Sequence, residues 1–384
     1  MNREGHRRRF DPLPMQAPAP AETSGTDGPV ERVSAMSRTV SIAALLLAAT
    51  PAPLIAGPPG GLTVERSQPD RLKVRWTSPH PVDVYMADRP DAAIEAARLV
   101  SADDRDGVYE TTVPPRGHPY FFVRDHRDGA GLWAAERLIP LERGSNFRDV
   151  GGYPAAGGKH VRWGMIYRSA ATPLLGGGDL ETIGRLGLTD MVDLRSSEER
   201  QLAPTRIGGV AYHAVGYSIR DILSTDEADD ISWADIYRRM PEQLAPQMRL
   251  LFRLLLAHQG PLAYNCSAGQ DRTGFATALI LTALGVPRDA ILADYHLSTR
   301  YRRPAFEMPK FDPAAFPDNA AARLFSPADE EEKPHPLLEP DGTPFLSHAI
   351  DEIERRYGSL DNYLEKRIGI DARAREALRA RYLD

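Results

Sequence analysis

Only one cysteine, Cys266, occurs in the 384 residues. That excludes an intrachain disulfide framework and every multi-cysteine metal motif. The ten histidines are scattered, with no HExxH and no paired-ligand spacing, so the sequence offers no metal centre and implies no metal cofactor. Positive charge is not in excess: the formal net charge is -6, which leaves no overall basic footprint for nucleic acid and requires any anion site to be local. No apolar run approaches the roughly 20 residues needed to cross a bilayer, and no internal repeat is visible. What is present, 42% hydrophobic and 26% charged residues, is the mixture of a globular chain long enough for two domains.

The start of the chain reads as processed rather than folded. From Met36 it runs MSRTVSIAALLLAATPAPLIAGPPGG, with one arginine, an apolar run from Val40 to Ala49, then small residues and prolines. That is the anatomy of a secretory signal peptide over 36–56, with cleavage after Ala56. Residues 1–35, rich in Arg, Pro and Ala, read as an upstream or disordered segment. The expected location is secreted or periplasmic.

Apolar residues then recur with period two, the signature of strands. Leu62 and Val64 alternate with polar residues, followed by Leu72, Val74 and Trp76, by Val82 and Val84, by Val108 to Val113, by YFFV at 120–123 and by LWAAERLI at 132–139. Turns rich in Pro, Gly and Asp separate them. Six or seven short strands with an early Trp predict a β-sandwich over 61–142, similar to a fibronectin type III or immunoglobulin-like module. It carries no catalytic constellation, so a spacer, stabilising or docking role is expected, with a protein or the envelope as partner.

From Arg143 strands alternate with helices, which predicts an α/β domain with a central sheet flanked by helices. WGMIYRSA, DMVDLRS and VAYHAVG read as strands. Pro241 to His258 reads as one amphipathic helix with Met248, Leu251, Leu254 and Leu255 on a single face. PLAY then reads as a buried strand, NCSAGQDRTG as a turn, and FATALILTALG as a buried helix closed by Gly285. Ligands of such sheets bind beyond the carboxyl ends of the strands, where this turn lies. Residues 301–344, rich in Pro, Phe, Asp and Glu, make an insertion long enough to be a lid, a binding loop or disordered. A lid would shield a thiolate that has no second cysteine with which to resolve a sulfenic acid.

A lone cysteine is most often a buried, inert hydrophobe. Here five residues separate Cys266 from Arg272, Thr273 and Gly274 follow, and the whole lies between a strand and a helix. A loop of that length can curl with its backbone N–H groups inward, forming an anion nest at the positive end of a helix. The amides from Ser267, Ala268, Gly269, Gln270 and Asp271 onward would cradle a tetrahedral oxyanion, and Arg272 would clamp two of its oxygens with the planar fork that lysine lacks. The same field favours thiolate over thiol, and the Thr273 hydroxyl is placed to donate to it.

NCSAGQDRTG resembles the cysteine-dependent signature of protein-tyrosine and dual-specificity phosphatases, in the bacterial group whose loop reads HCxAGKDRTG and whose domain opens NFRDLGG. NFRDVGGY at 146–153, YRSA, VDLRSSEE, DYHLS and YGSLDNYLEKRIGI are also similar to that group, so the resemblance covers about 143–384. It implies a tyrosine-phosphatase-like fold, no cofactor, and a phosphorylated protein or phosphoinositide as substrate. Cys266 would be the nucleophile of a cysteinyl-phosphate and Arg272 the binder of the phosphoryl group. Asp271 would be the general acid, in competition with Asp221, Asp226, Asp229 and Asp230 of the acidic stretch RDILSTDEADD. Asn146, Arg148 and Asp149 would pack beside the loop, and Asp193 with Arg195 would brace it. Two positions depart from the group: its histidine is Asn265 here, and its loop lysine is Gln270, which removes a cation for a second phosphate.

Other readings use the same loop. A soluble inositol-phosphate phosphatase would need a basic rim, for which Arg300, Arg302 and Arg303 are the local candidates. A non-catalytic phosphate-binding protein would not need an intact Cys, Arg and Thr. A sulfur-transfer enzyme would prefer thiosulfate to an aryl phosphate.

Overall fold

The computed structural model describes residues 59–223, 232–257, 259–324 and 333–384, which fall in one compact unit. The segments 1–35 and 36–56 and the candidate acids Asp226, Asp229 and Asp230 lie outside the described residues. Seven strands come first: β1 (Gly60–Gln68), β2 (Arg71–Thr77), β3 (Val82–Ala87), β4 (Arg98–Asp104), β5 (Val108–Thr112), β6 (Tyr120–Asp125) and β7 (Gly131–Ala135). They form two antiparallel sheets, β1-β2-β5 and β4-β3-β6-β7. In β2 the alternation is strict: Leu72, Val74 and Trp76 are buried while Arg71 and Arg75 are exposed. β4 is the sandwich strand that periodicity did not predict, because in its sequence RLVSADD the two large apolar residues, Leu99 and Val100, are adjacent rather than alternating. β7 stops at Ala135, short of the apolar run that suggested it, and Glu136 Oε2 instead accepts from Arg66 Nε and Nη2 at 2.9 and 2.7 Å.

The second half is built on β8 (Arg148–Asp149), β9 (Ile166–Ser169), β10 (Asp190–Asp193), β11 (Ala211–Ala214) and β12 (Leu262–Asn265). Their order is β11-β10-β12-β9-β8, with the first four parallel and β8 antiparallel at the edge. Between and after them run α1 (Gly177–Gly184), α2 (Ser197–Leu202), α3 (Ile219–Leu223), α4 (Trp233–Gln243), α5 (Ala245–Ala257), α6 (Asp271–Leu284), α7 (Arg288–Tyr301), α8 (Ala320–Leu324), α9 (Phe345–Tyr357), α10 (Leu360–Tyr363, continued as a π-turn to Ile368) and α11 (Ala372–Tyr382). Successive strand residues feed opposite cores, as a sheet covered on both faces requires. Ile166, Val192, Leu262 and Tyr264 join the core under α5 and α6, whereas Tyr167, Met191 and Ala263 join the one under α1. The expected helix from Pro241 is two helices: Pro241 sits in the last turn of α4, and the chain turns at Leu244 before α5 begins. Gly285 closes α6 in the left-handed conformation, φ 79°.

The described part of 301–344 is packed rather than detached. Met308, Ala320, Ala321 and Ala322 are buried with Leu202, Ala203 and Ile219, and Asn319 donates to the Glu198 carbonyl and to Gln201, both at 3.1 Å. The sandwich is fastened to the α/β half as well. Trp163 Nε1 donates to the Trp133 carbonyl at 3.0 Å, and Tyr120, Ala135 and Trp163 bury one another. A cleft of about 1220 Å³ lies at this junction, lined by Arg116, His118, Trp163, Met165 and Pro261 among others. Met165 and Pro261 immediately precede β9 and β12, so the cleft opens at the amino ends of the parallel strands, remote from the cysteine turn. No helix among the described residues is long and apolar enough to cross a membrane.

Candidate active site

Cys266 leaves the carboxyl end of β12, the central strand, and is 1% exposed. Hydrophobic packing puts it there; the loop makes it more than packing. Among the described residues, the N–H groups of Ser267, Ala268, Gly269 and Gln270 donate to no protein acceptor, and Gln270 gives α6 no side-chain cap. These amides and the open first turn of α6 make the anion nest that the spacing predicts. Gly269 is required by the curl: its φ is 64°, and a Cβ there would sit 2.4 Å from the backbone of Ser169 and Ala170.

Arg272 is held from one side. Nη1 donates to Glu199 Oε2 at 2.7 Å and to the Tyr217 hydroxyl at 2.8 Å, and Nη2 donates to Glu199 Oε1 at 2.6 Å. Of the five guanidinium hydrogens, those on Nε and the second on Nη2 find no partner among the described residues. They lie on one edge, which fits two oxygens of a tetrahedral anion. Burial would raise the Glu199 carboxyl, but the Arg272 charge, with bonds from Arg272, Ser267 and Ser196, brings it down to about 2. Burial pushes the Tyr217 hydroxyl up to about 12, so it keeps its proton, donates to the Leu194 carbonyl at 2.8 Å and accepts from Arg272. Ser267 Oγ donates to Glu199 Oε1 at 2.6 Å, which leaves only its amide for a ligand.

Asp271 is the first residue of α6 and is partly exposed. Its Oδ1 accepts from the Tyr237 hydroxyl at 2.5 Å and from Gln270 Nε2 at 3.3 Å. The Gln270 side chain is thus turned to its neighbours, since Arg302 Nη1 donates to its Oε1 at 2.5 Å. The competing Asp221 is exposed and accepts from the Ser218 amide at 3.0 Å, closing its own turn.

Beneath the loop lies a second charged cluster. Asn146, at φ 55°, donates Nδ2 to the carbonyls of Ala268 and Gly269 at 3.2 and 2.8 Å. Arg168 donates to the Gly269 carbonyl at 2.9 Å and to Asp294 at 2.5 Å, and Arg148 donates to Asn146 Oδ1 and to Asp294. Burial would raise the Asp294 carboxyl, but the two arginines hold it well below the usual range. With its carbonyls engaged below, the loop has its amides free above.

Three expectations need correction. Asp149 does not pack beside the loop: it follows Arg148 on a strand, so it faces the opposite side, where it accepts from the amides of Gly151 and Gly164, both at 2.7 Å. The Thr273 hydroxyl is buried and makes no bond to Cys266. Asp193 and Arg195 pair with each other, and Arg195 donates to the Ala203 carbonyl at 2.6 Å, which ties the end of β10 to the end of α2; among the described residues neither makes a hydrogen bond to the loop. Of the three rim arginines only Arg302 meets the loop. Arg300 is 65% exposed with Glu65 at 3.8 Å, and Arg303 donates to the Leu141 carbonyl. Asn265, in place of the group's histidine, donates to the Cys266 carbonyl at 3.2 Å, and its Oδ1 is buried without a partner.

Glu199, Tyr217, Arg168, Asp294 and Tyr237 were not singled out from the sequence. Ser196 and Glu199 form a capping box at α2, bonded both ways at 3.2 and 2.8 Å, and S-x-x-E is a readable helix start. That signal finds Glu199 but not its second task on Arg272.

An α/β sheet carrying a single cysteine, an arginine with one open edge and a cradle of amides defines a phosphate-handling enzyme. Residues 139–384 match the family model described as "Tyrosine phosphatase family", and the chain belongs to that family. It is 34% identical over 251 residues to the "Putative tyrosine-protein phosphatase" of Cupriavidus necator, covering 62% of this chain and 86% of that one. It is 31% identical over 270 residues to the "Triple specificity protein phosphatase PtpB" of Mycobacterium tuberculosis, covering 57% and 90%. An Fn3-like protein from Clostridium thermocellum aligns with 23% of the chain and 99% of its own at 17% identity, with a TM-score of 0.19. The sandwich is described by its own strand order.

Proposed function

We propose that this phosphatase hydrolyses phosphotyrosine, together with phosphoserine and phosphothreonine, through a covalent intermediate on Cys266. The observation that carries this is the open edge of Arg272 in the same cradle as the buried cysteine. The Cys266 thiolate attacks phosphorus and forms the S–P bond. The electrons of the P–O bond pass to the leaving oxygen, which takes the Asp271 proton. Water then attacks the phosphocysteine and gives its proton to Asp271, and phosphate departs with the thiolate restored. Arg272 and the loop amides hold the equatorial oxygens throughout.

Against a soluble inositol phosphate stands the rim, where Arg303 is engaged with the Leu141 carbonyl and Arg300 is exposed near Glu65. Gln270 removes the loop cation that a second phosphate of a phosphoinositide would use, so a singly phosphorylated head group fits the site better. The signal-peptide pattern of 36–56 supports export. The purified protein should hydrolyse para-nitrophenyl phosphate without added metal and prefer aryl phosphate to thiosulfate. Cys266→Ser should lose turnover and still bind vanadate. Undiminished hydrolysis by that variant would sink the proposal. A panel of phosphopeptides, phosphoinositides and inositol phosphates would rank the substrates.

A further inference from the structure

The hydrogen bonds around Asp271 decide which of its oxygens can carry the proton. A hydroxyl has one proton to give. Tyr237 gives its own to Asp271 Oδ1 at 2.5 Å, so Tyr295, whose hydroxyl is 2.6 Å from that of Tyr237, is the donor of that pair. Burial and then the Asp271 charge hold the Tyr237 hydroxyl well above its ordinary range, and it stays protonated at any working pH. From the other side, Arg302 can only donate, so its bond to Gln270 Oε1 fixes the amide with Nε2 towards Asp271 Oδ1. Arg302 is clamped in turn by Glu307 at 3.0 and 2.7 Å, and Glu307 by Ser145 Oγ at 2.8 Å. Two chains of donors, Tyr295–Tyr237 and Arg302–Gln270, thus converge on one oxygen. Among the described residues Oδ2 makes no hydrogen bond.

Resting on the reading of Asp271 as general acid, the geometry points to Tyr237 as the positioning residue of that acid, with Oδ2 as the oxygen that carries the transferable proton. A proton on Oδ1 would face the Tyr237 donor head-on; on Oδ2 it meets none. Tyr237 therefore presents the acid in one orientation, and Gln270 with Arg302 supports it from the far side. Tyr237 touches no substrate in this arrangement. It acts through Asp271.

The test compares the full-length protein with Tyr237→Phe, Asp271→Asn, the double variant and Arg302→Met on two substrates, phenyl phosphate and 2,4-dinitrophenyl phosphate. Phenolate needs the proton and dinitrophenolate does not. Tyr237→Phe keeps the ring that packs on Tyr295 and Phe345; it is expected to lower kcat about ten- to a hundredfold on phenyl phosphate and less than about threefold on the dinitrophenyl ester, with KM unchanged. In the Asp271→Asn background it should add nothing, because groups that act as a unit are not additive. Arg302→Met should show the same leaving-group dependence at smaller size, and it carries the test should Tyr237→Phe fail to fold. Equal losses on both substrates, or full additivity with Asp271→Asn, would overturn the proposal. An Asp271→Asn variant that ignores the leaving group would instead overturn the general-acid reading itself, and the proposal with it.

Discussion

Two clusters of guanidinium and carboxylate lie against the same loop, and they do different work. Above it, Arg272 gives Nη1 to Glu199 and Tyr217 and one Nη2 hydrogen to Glu199, and its Nε edge has no partner among the described residues. Below it, Arg148 and Arg168 enclose Asp294, all three at most 1% exposed. The residue types are the same; the difference is how the donors are used. An arginine with an open edge can bind substrate. Arginines whose donors go to a carboxylate, to Asn146 and to a loop carbonyl shape the backbone, here by holding carbonyls down so that amides stay free. The lower cluster, with two cations to one anion, also leaves positive charge beneath the cradle of amides.

Breaking the upper cluster should show in turnover, and breaking the lower one in stability. The largest effect is expected for Arg272→Lys, which removes the fork: kcat/KM should fall about a thousandfold. Next is Asp294→Asn, which leaves two buried guanidiniums without their anion and should cost about 3–5 kcal/mol in urea unfolding. If its stability held while kcat collapsed, the division of labour would be wrong.

Glu199 links the two kinds of effect. Held at about 2 against an ordinary 4.5 by the Arg272 charge, its carboxyl titrates lower in the folded than in the unfolded chain, so its stability contribution is complete above about pH 4.5 and is lost as pH falls through the folded value. That difference is worth about 3 kcal/mol. Glu199→Gln should therefore unfold with a flatter pH dependence between pH 5 and 2 than the parent. The smallest effect is expected at Arg300, whose exposed approach to Glu65 is 3.8 Å. Arg300→Ala should change stability by less than about 0.5 kcal/mol and leave turnover as it was.

What could be read in advance was what is local in the chain. Cys266 to Thr273 is contiguous, so spacing alone suffices to predict a nest with an arginine at its end. Strand alternation is local as well, which is why β2 was legible and β4, whose two large apolar residues are adjacent, was not. Glu199, Tyr217 and Asp294 reach the loop from α2, from the chain after β11 and from α7. Their places depend on parallel strand order, which no short pattern encodes. The error at Asp149 has the same root: a motif names neighbours in sequence, but adjacent strand residues face opposite ways. Thr273 shows the limit of reading chemistry from residue type, since its hydroxyl is buried and still does not meet the sulfur.

The account stands on the claim that phosphate passes through Cys266. Rapid acid quench during turnover of para-nitrophenyl phosphate, followed by peptide mapping, tests that claim most directly. The predicted result is phosphate on the peptide that contains Cys266, appearing before steady state and absent in Cys266→Ser. Phosphate on any other side chain, or a pre-steady-state burst with Cys266 unmodified, would contradict it.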